Sequence, residues 1–206
     1  MRRNLVDLIR KKGIRDEDVL RAIDSVPRHL FMDSSFLEFA YNDKPFPIGA
    51  GQTISQPYTV AVQTELLKIK KGDKVLEVGT GSGYQACVLI ELGAKVYTIE
   101  RQKSLYLRTK TLLPELGYHP VLMTYGDGYK GLPVHAPFDK IIVTAGAPAI
   151  PEDLKNQLRI GGYMVIPVGS DVQVMMRIIR SDATSYIEEE HGTFRFVPLL
   201  GNRAND

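Results

Sequence analysis

KVLEVGTGSGYQA, residues 74–86, decides the fold. Its first half, residues 74–79, is rich in branched apolar residues, as expected of a strand buried on both faces. Gly79, Gly81 and Gly83 then alternate with Thr80 and Ser82, and a helix opens over residues 83–92. Glycines let the chain turn tightly and approach a ligand with no Cβ in the way. The helix beyond the turn presents free N–H groups. The spacing is G-x-G-x-G, not the G-x-G-x-x-G of dinucleotide binders.

Working outward, the same alternation continues. Strands are expected at 95–100 (KVYTIE), 121–127 (VLMTYGD), 139–145 (DKIIVTA) and 163–169 (YMVIPVG), with helices at 103–116 and 152–158. Strands alternating with helices imply an α/β fold with a mainly parallel sheet covered on both faces. Upstream, residues 4–25 read as two short helices broken at Gly13, with Asp16 capping the second and Pro27 ending it. Residues 32–56 read as a long loop and 57–68 as a helix. After residue 170, VQVMMRIIR and SYIEEE read as neighbouring antiparallel strands and FRFVPL as a last one. A chain of 206 residues suits one domain. Three parts are expected within it: N-terminal helices and loop (1–56), a binding core (57–170) and C-terminal strands (171–206).

Three acids punctuate the strand ends. Glu77 lies two residues before the first glycine, Glu100 ends the next strand and Asp127 ends the one after. Singly, Glu77 reads equally well as a strand-end surface residue and Glu100 as a helix cap. Together, at the carboxyl ends of successive parallel strands, they point to one crevice. Such a crevice repels a pyrophosphate and welcomes a cation. A ligand with a ribose, an adenine, an ammonium and a sulfonium fits it, and S-adenosylmethionine is that ligand.

The totals exclude several classes. Hydrophobic residues make up 44% and charged residues 24%, the profile of an ordinary globular chain. The net charge is +2 with no block of five like charges, which argues against binding nucleic acid or a membrane surface by electrostatics. The cluster Arg101, Lys103, Arg108 and Lys110 reads as the solvated face of a helix. Cys87 is the only cysteine, so no intrachain disulfide forms, which fits a reducing compartment. The N-terminus is too charged for a signal peptide, and no apolar run is long enough to span a bilayer. A cytoplasmic protein is expected. His29, His119, His135 and His191 lack metal-ligand spacing, and no metal site is expected. Ser82 is not a hydrolase elbow, because that motif needs G-x-S-x-G and position 80 is Thr.

The stretch GQTISQP, residues 51–57, leaves a question open. Ser55 precedes Pro57, which starts a helix, and a serine there is commonly an N-cap. On the residues alone the cap is favoured over a binding surface, and a nucleophile is rejected because Ser55 also lacks the G-x-S-x-G frame.

These motifs carry a resemblance. GQTISQP, VLEVGTGSGYQA (75–86), the Glu100–Arg101 pair, GDGYKGLP (126–133), APFDKIIVTA (136–145), IPEDLKNQLRIGGYMVIPVG (150–169) and FVPL (196–199) together resemble the protein-L-isoaspartate (D-aspartate) O-methyltransferases. The resemblance runs from about Val19 to Gly201. It implies a Rossmann-like, class I S-adenosylmethionine-dependent methyltransferase fold with extra elements at both ends. It implies methylation of isoaspartyl residues in proteins and peptides, leaving S-adenosylhomocysteine, by a monomer. It makes Ser55 the active-site serine, with Gln52, Thr53 and Ile54 lining the same site. Gly79, Gly81 and Gly83 would line the methionine side of the cofactor, with Glu77 beside them. Glu100 would take the ribose hydroxyls, and Asp127 and Gly128 would meet the adenine. Val197, Pro198 and Leu199 would pair with the substrate backbone.

Overall fold

The computed structural model describes residues 1–204; Asn205 and Asp206, at the end of the expected C-terminal part, lie outside the described residues. Two amphipathic helices come first, α1 (Arg2–Lys11) and α2 (Glu17–Ser25). Asp16 caps α2 as expected, accepting from the N–H groups of Asp18 at 2.9 Å and Val19 at 3.2 Å. The stretch 32–56 is more ordered than the loop expected for it. A 3-10 segment covers Ser34–Phe39, and β1 (Phe46–Gly49) pairs with β2 (Gln52–Ile54) in an antiparallel hairpin. Strands of four and three residues are too short to show alternation, and Phe46 is fixed by distant contacts, its ring 5.5 Å from that of Phe36.

Then follow α3 (Pro57–Leu67), β3 (Lys74–Val78), α4 (Tyr84–Glu91), β4 (Lys95–Glu100), α5 (Lys103–Glu115), β5 (Leu122–Tyr125), β6 (Phe138–Val143), α6 (Glu152–Asn156), β7 (Leu158–Val168), β8 (Gln173–Arg180) and β9 (Tyr186–Phe194). Seven strands form one sheet in the order β5-β4-β3-β6-β7-β8-β9. The first five in that order run parallel, and β8 and β9 add antiparallel. The fold is thus the mainly parallel α/β sheet with antiparallel C-terminal strands that the alternation implies. β7 starts at Leu158, five residues before the expected strand: Leu158 pairs with Phe138, and the extra residues before Tyr163, opposite Lys140, are absorbed as a register shift.

FRFVPL is not a strand. Phe194 ends β9, and over residues 195–200 the β-pairing is one parallel bridge, between Pro198 and Gly146. Gly146 donates its N–H to Val197 O at 2.8 Å, and Leu199 N–H donates to Gly146 O at 2.7 Å. Phe196 N–H goes to the Gln173 side chain at 2.8 Å, and Pro198 has no N–H to offer. No ladder can propagate through such a segment.

Alternation along each strand builds two apolar layers. Val75, Val96 and Ile142 pack on one face with Leu67, Cys87, Leu89 and Leu113. Leu76, Val78, Ile141 and Val143 pack on the other with Leu154, Leu158 and Ile178. From β3 the sheet grows outward on both sides, to β4 on one and β6 on the other. In open α/β sheets, ligands bind outside the strand ends at that switch point. Among the described residues, no helix is long and apolar enough to cross a membrane.

Candidate functional site

A cavity lies at the switch point. Its wall comprises residues 52–55, 79–82, 99–101, 128, 144–145 and 197–200, with Val60, Val78, Tyr84 and Gln85. The fold therefore brings together Gln52, Thr53, Ile54, Ser55, Gly79, Gly81, Glu100, Gly128, Val197, Pro198 and Leu199. Glu77, Gly83 and Asp127 are not in that wall.

Glu100 is the one of the three acids that faces the cavity. Its Oε2 accepts from Gly81 N–H and its Oε1 from Gln102 N–H, both at 2.8 Å. Burial raises its pKa, while those backbone hydrogen bonds pull the other way. It ties the glycine loop to the end of β4 and retains lone pairs toward the cavity.

Glu77 lies beneath the loop, fully buried, on the same face of β3 as Val75. Its Oε2 accepts from Thr98 Oγ1 at 2.5 Å, and the Thr98 and Thr80 hydroxyls meet at 2.6 Å. Burial pushes its carboxyl up to about 8, with the Thr98 bond acting in the opposite sense. Gly83 is the N-cap of α4 at φ 86°. A Cβ there would stand 2.8 Å from both Thr109 Cγ2 and Leu113 Cδ2, so its bareness lets α4 pack on α5. Asp127 Oδ1 accepts from Tyr129 N–H at 3.0 Å and caps the 3-10 turn Gly128–Lys130. Gly128 stands where a Cβ would come within 2.6 Å of Val78 Cγ1.

Ser55 does not cap α3. The N-cap is Gln56, and it makes no side-chain capping bond. The free N–H of Tyr58 is taken instead by Asp43 Oδ1 at 2.8 Å. Asp43 Oδ2 also accepts from Gln56 Nε2 at 3.0 Å and lies 2.5 Å from Lys12 Nζ. Ser55 is thereby left at a junction. It lines the first cavity and also a second, walled by Lys12, Pro45, Gln56, Tyr58, Thr59, Val172 and residues 193–197; Thr53, Thr144 and Val197 share both.

Several supporting residues were not read from the sequence. Thr144, at the end of β6, donates its hydroxyl to Gly79 O at 2.7 Å and lies 3.0 Å from Val78 O, pinning the glycine loop. The IIVT run ending in a lone hydroxyl was the available signal. A strap formed by residues 199–204 crosses the ends of β4 and β5. Arg101 Nε donates to Asn202 O at 3.2 Å, Ala204 N–H to Arg101 O at 2.9 Å, and Tyr129 OH to Leu199 O at 3.2 Å.

The chemistry of the wall fits S-adenosylmethionine. Glu100 offers a carboxylate to a vicinal diol, and Val78, Ile99 and Leu199 offer apolar surface to a flat base. Gly128 brings bare backbone against the same wall, where a Cβ would collide with Val78. The glycine loop and the first turn of α4 line the same cavity with bare backbone and few side chains.

Known proteins agree. Residues 1–204 match the family described as protein-L-isoaspartate(D-aspartate) O-methyltransferase (PCMT). The protein-L-isoaspartate O-methyltransferase of Christiangramia forsetii is 64% identical over 202 residues, covering 98% of this chain and 95% of that one. That of Flavobacterium johnsoniae is 60% identical over 203 residues, with the same coverage. Among solved structures, a protein-L-isoaspartate O-methyltransferase superposes with a TM-score of 0.88 at 30% identity, covering 98% of this chain and 67% of that one. A Plasmodium falciparum protein assigned the same activity, solved with S-adenosyl-L-homocysteine, gives 0.84 at 26% identity, covering 98% and 99%. With a whole-chain match, close relatives and a site of the right chemistry in agreement, the chain belongs to the protein-L-isoaspartate (D-aspartate) O-methyltransferase family.

Proposed function

We propose that the protein transfers a methyl group from S-adenosylmethionine to the α-carboxylate of L-isoaspartyl residues in proteins and peptides, starting their repair through a succinimide. The observation that carries this reading is the position of Ser55, at the junction of a cavity suited to the cofactor and a second cavity open to a peptide.

Bound S-adenosylmethionine supplies an electrophilic methyl group on a sulfonium. The acceptor carboxylate is already ionised near neutral pH, since its pKa is about 4, so the chain need not supply a strong base. In keeping with that, none of His29, His119, His135 and His191 lines either cavity. The protein's task is alignment, for which orientation alone is worth ~7–11 kcal/mol. Ser55 donates a hydrogen bond that orients the acceptor carboxylate. Gln52, Thr53 and Ile54 hold the β2 side of the cavity, Glu100 the ribose, and Gly79 and Gly81 the amino-acid end. Glu77, Gly83 and Asp127 act from behind, by setting the loop, the α4–α5 contact and the turn at Gly128.

Val197, Pro198 and Leu199 meet the substrate backbone. Val197 O and Leu199 N–H are occupied by Gly146, so the free edge presents the Pro198 carbonyl as an acceptor for a peptide N–H. The protein works as a cytoplasmic monomer without nucleic acid. Glu188, Glu189 and Glu190 on the outer strand β9 discourage edge pairing with a second copy.

The test is methyl transfer from labelled S-adenosylmethionine to two peptides that differ only in carrying L-isoaspartate or L-aspartate. Labelling of the isoaspartyl peptide alone is expected. Equal labelling of both, or of neither, overturns the reading.

A further inference from the structure

The second cavity carries charge of one sign. Its wall contains two cations, Lys12 and Arg195, and no carboxylate. Lys12 is already compensated by Asp43 at 2.5 Å. Arg195 is exposed, and among the described residues it takes part in no ion pair. It stands between Phe194 and Phe196 in the same wall, two residues before Val197, which both cavities share.

We propose that Arg195 gives this enzyme a preference for isoaspartyl sites with an acidic residue beside them. The inference rests on the proposed function. If the isoaspartyl carboxylate is held at Ser55, the residues flanking it in the peptide extend along the second cavity. Backbone pairing at Pro198 is indifferent to those side chains. The uncompensated guanidinium is not: it attracts a carboxylate and repels an ammonium. Because the site is open to water, the discrimination is modest, about two- to five-fold in kcat/KM, the range of an exposed ion pair. It is carried by KM, since Arg195 acts on binding of the flank and not on the reacting atoms.

The experiment uses three peptides around one L-isoaspartate, with Glu, Gln or Lys at the position before it, and a second set with the change after it. Kinetics are measured with the wild type, Arg195→Gln and Arg195→Glu. The wild type is expected to rank the peptides Glu over Gln over Lys in at least one set. The order should flatten in Arg195→Gln and reverse in Arg195→Glu. In the wild type it should also compress at high salt, where a Debye length near 3 Å screens exposed charges. Equal kcat/KM for all three peptides in both sets, or a wild-type ranking that persists in Arg195→Gln, overturns the inference while leaving the methyltransferase reading intact. Failure of the wild type to methylate any isoaspartyl peptide overturns both.

Discussion

Glu77 and Thr98 face each other across the β3–β4 pairing, and the threonine hydroxyl donates to the carboxyl at 2.5 Å. This is a polar contact sealed from water, since both residues are fully buried. The carboxyl is raised from an ordinary 4.5 to about 8. The native state therefore holds a proton that the unfolded chain releases between those two values. Its stabilising effect is complete below about pH 4.5 and is lost as pH rises through 8. One proton gives a slope of roughly 1.4 kcal/mol per pH unit. Urea midpoints for the wild type should accordingly fall relative to Glu77→Gln between about pH 5.5 and 7.5. Parallel curves for the two proteins over that range would refute the buried proton.

Glu100 accepts from the Gly81 and Gln102 N–H groups and still faces the cavity. Replacement with Gln keeps the shape but removes the charge. Hydrogen bonds to charged groups are worth ~1.5–3 kcal/mol. Calorimetric titration should therefore show S-adenosylhomocysteine binding ~10–100-fold more weakly to Glu100→Gln. An unchanged Kd would remove Glu100 from the cofactor site.

Ser55 and Asp43 separate activity from stability. Because Asp43, not Ser55, satisfies the start of α3, Ser55→Ala should slow methyl transfer with no change in Tm and no loss of cofactor binding. Asp43→Ala should cost ~1–2 kcal/mol from the lost cap, with Lys12 left unpaired as well. A stability loss in Ser55→Ala as large as that in Asp43→Ala would restore the capping role to the serine.

Gly83→Ala tests the loop's third glycine. The new methyl meets Thr109 and Leu113 at 2.8 Å, in a left-handed conformation that a side chain disfavours. Overpacking and backbone strain should together cost ~2–4 kcal/mol. Chemical denaturation checks it, and a loss below ~0.5 kcal/mol would show that α5 simply moves aside.

What the sequence disclosed follows the range of the interaction. Asp16 was legible as a cap because its donors lie two and three residues away. Asp43 does the same for α3 from 15 residues upstream, and nothing in the local pattern marks it. The strand at 95–100 coincides with β4, because its apolar pattern alone specifies it. The hairpin at 46–54 and the non-strand at 195–200 depend on Phe36, Gln173 and Gly146, which only the folded chain brings near. The glycine loop and the acids were visible as a set. Which of them face the cavity depended on side-chain direction at the strand ends, and Glu77 turned toward α4.

The hydrogen bond from Tyr129 N–H to Asp127 bears on the protein's own ageing. Asp-Gly is the dipeptide most open to isomerisation, because no side chain shields the glycine nitrogen from attack by the preceding carboxyl. Asp127–Gly128 is such a pair, set beside the cofactor cavity. Here the carboxyl is committed one residue further on, and Gly128 is buried against Val78. In the native state, then, a chain built to correct this lesion hinders it at its own Asp-Gly pair by engaging the carboxyl and burying the glycine. Each excursion to the unfolded state removes that protection, so its working lifetime is tied to how seldom it unfolds.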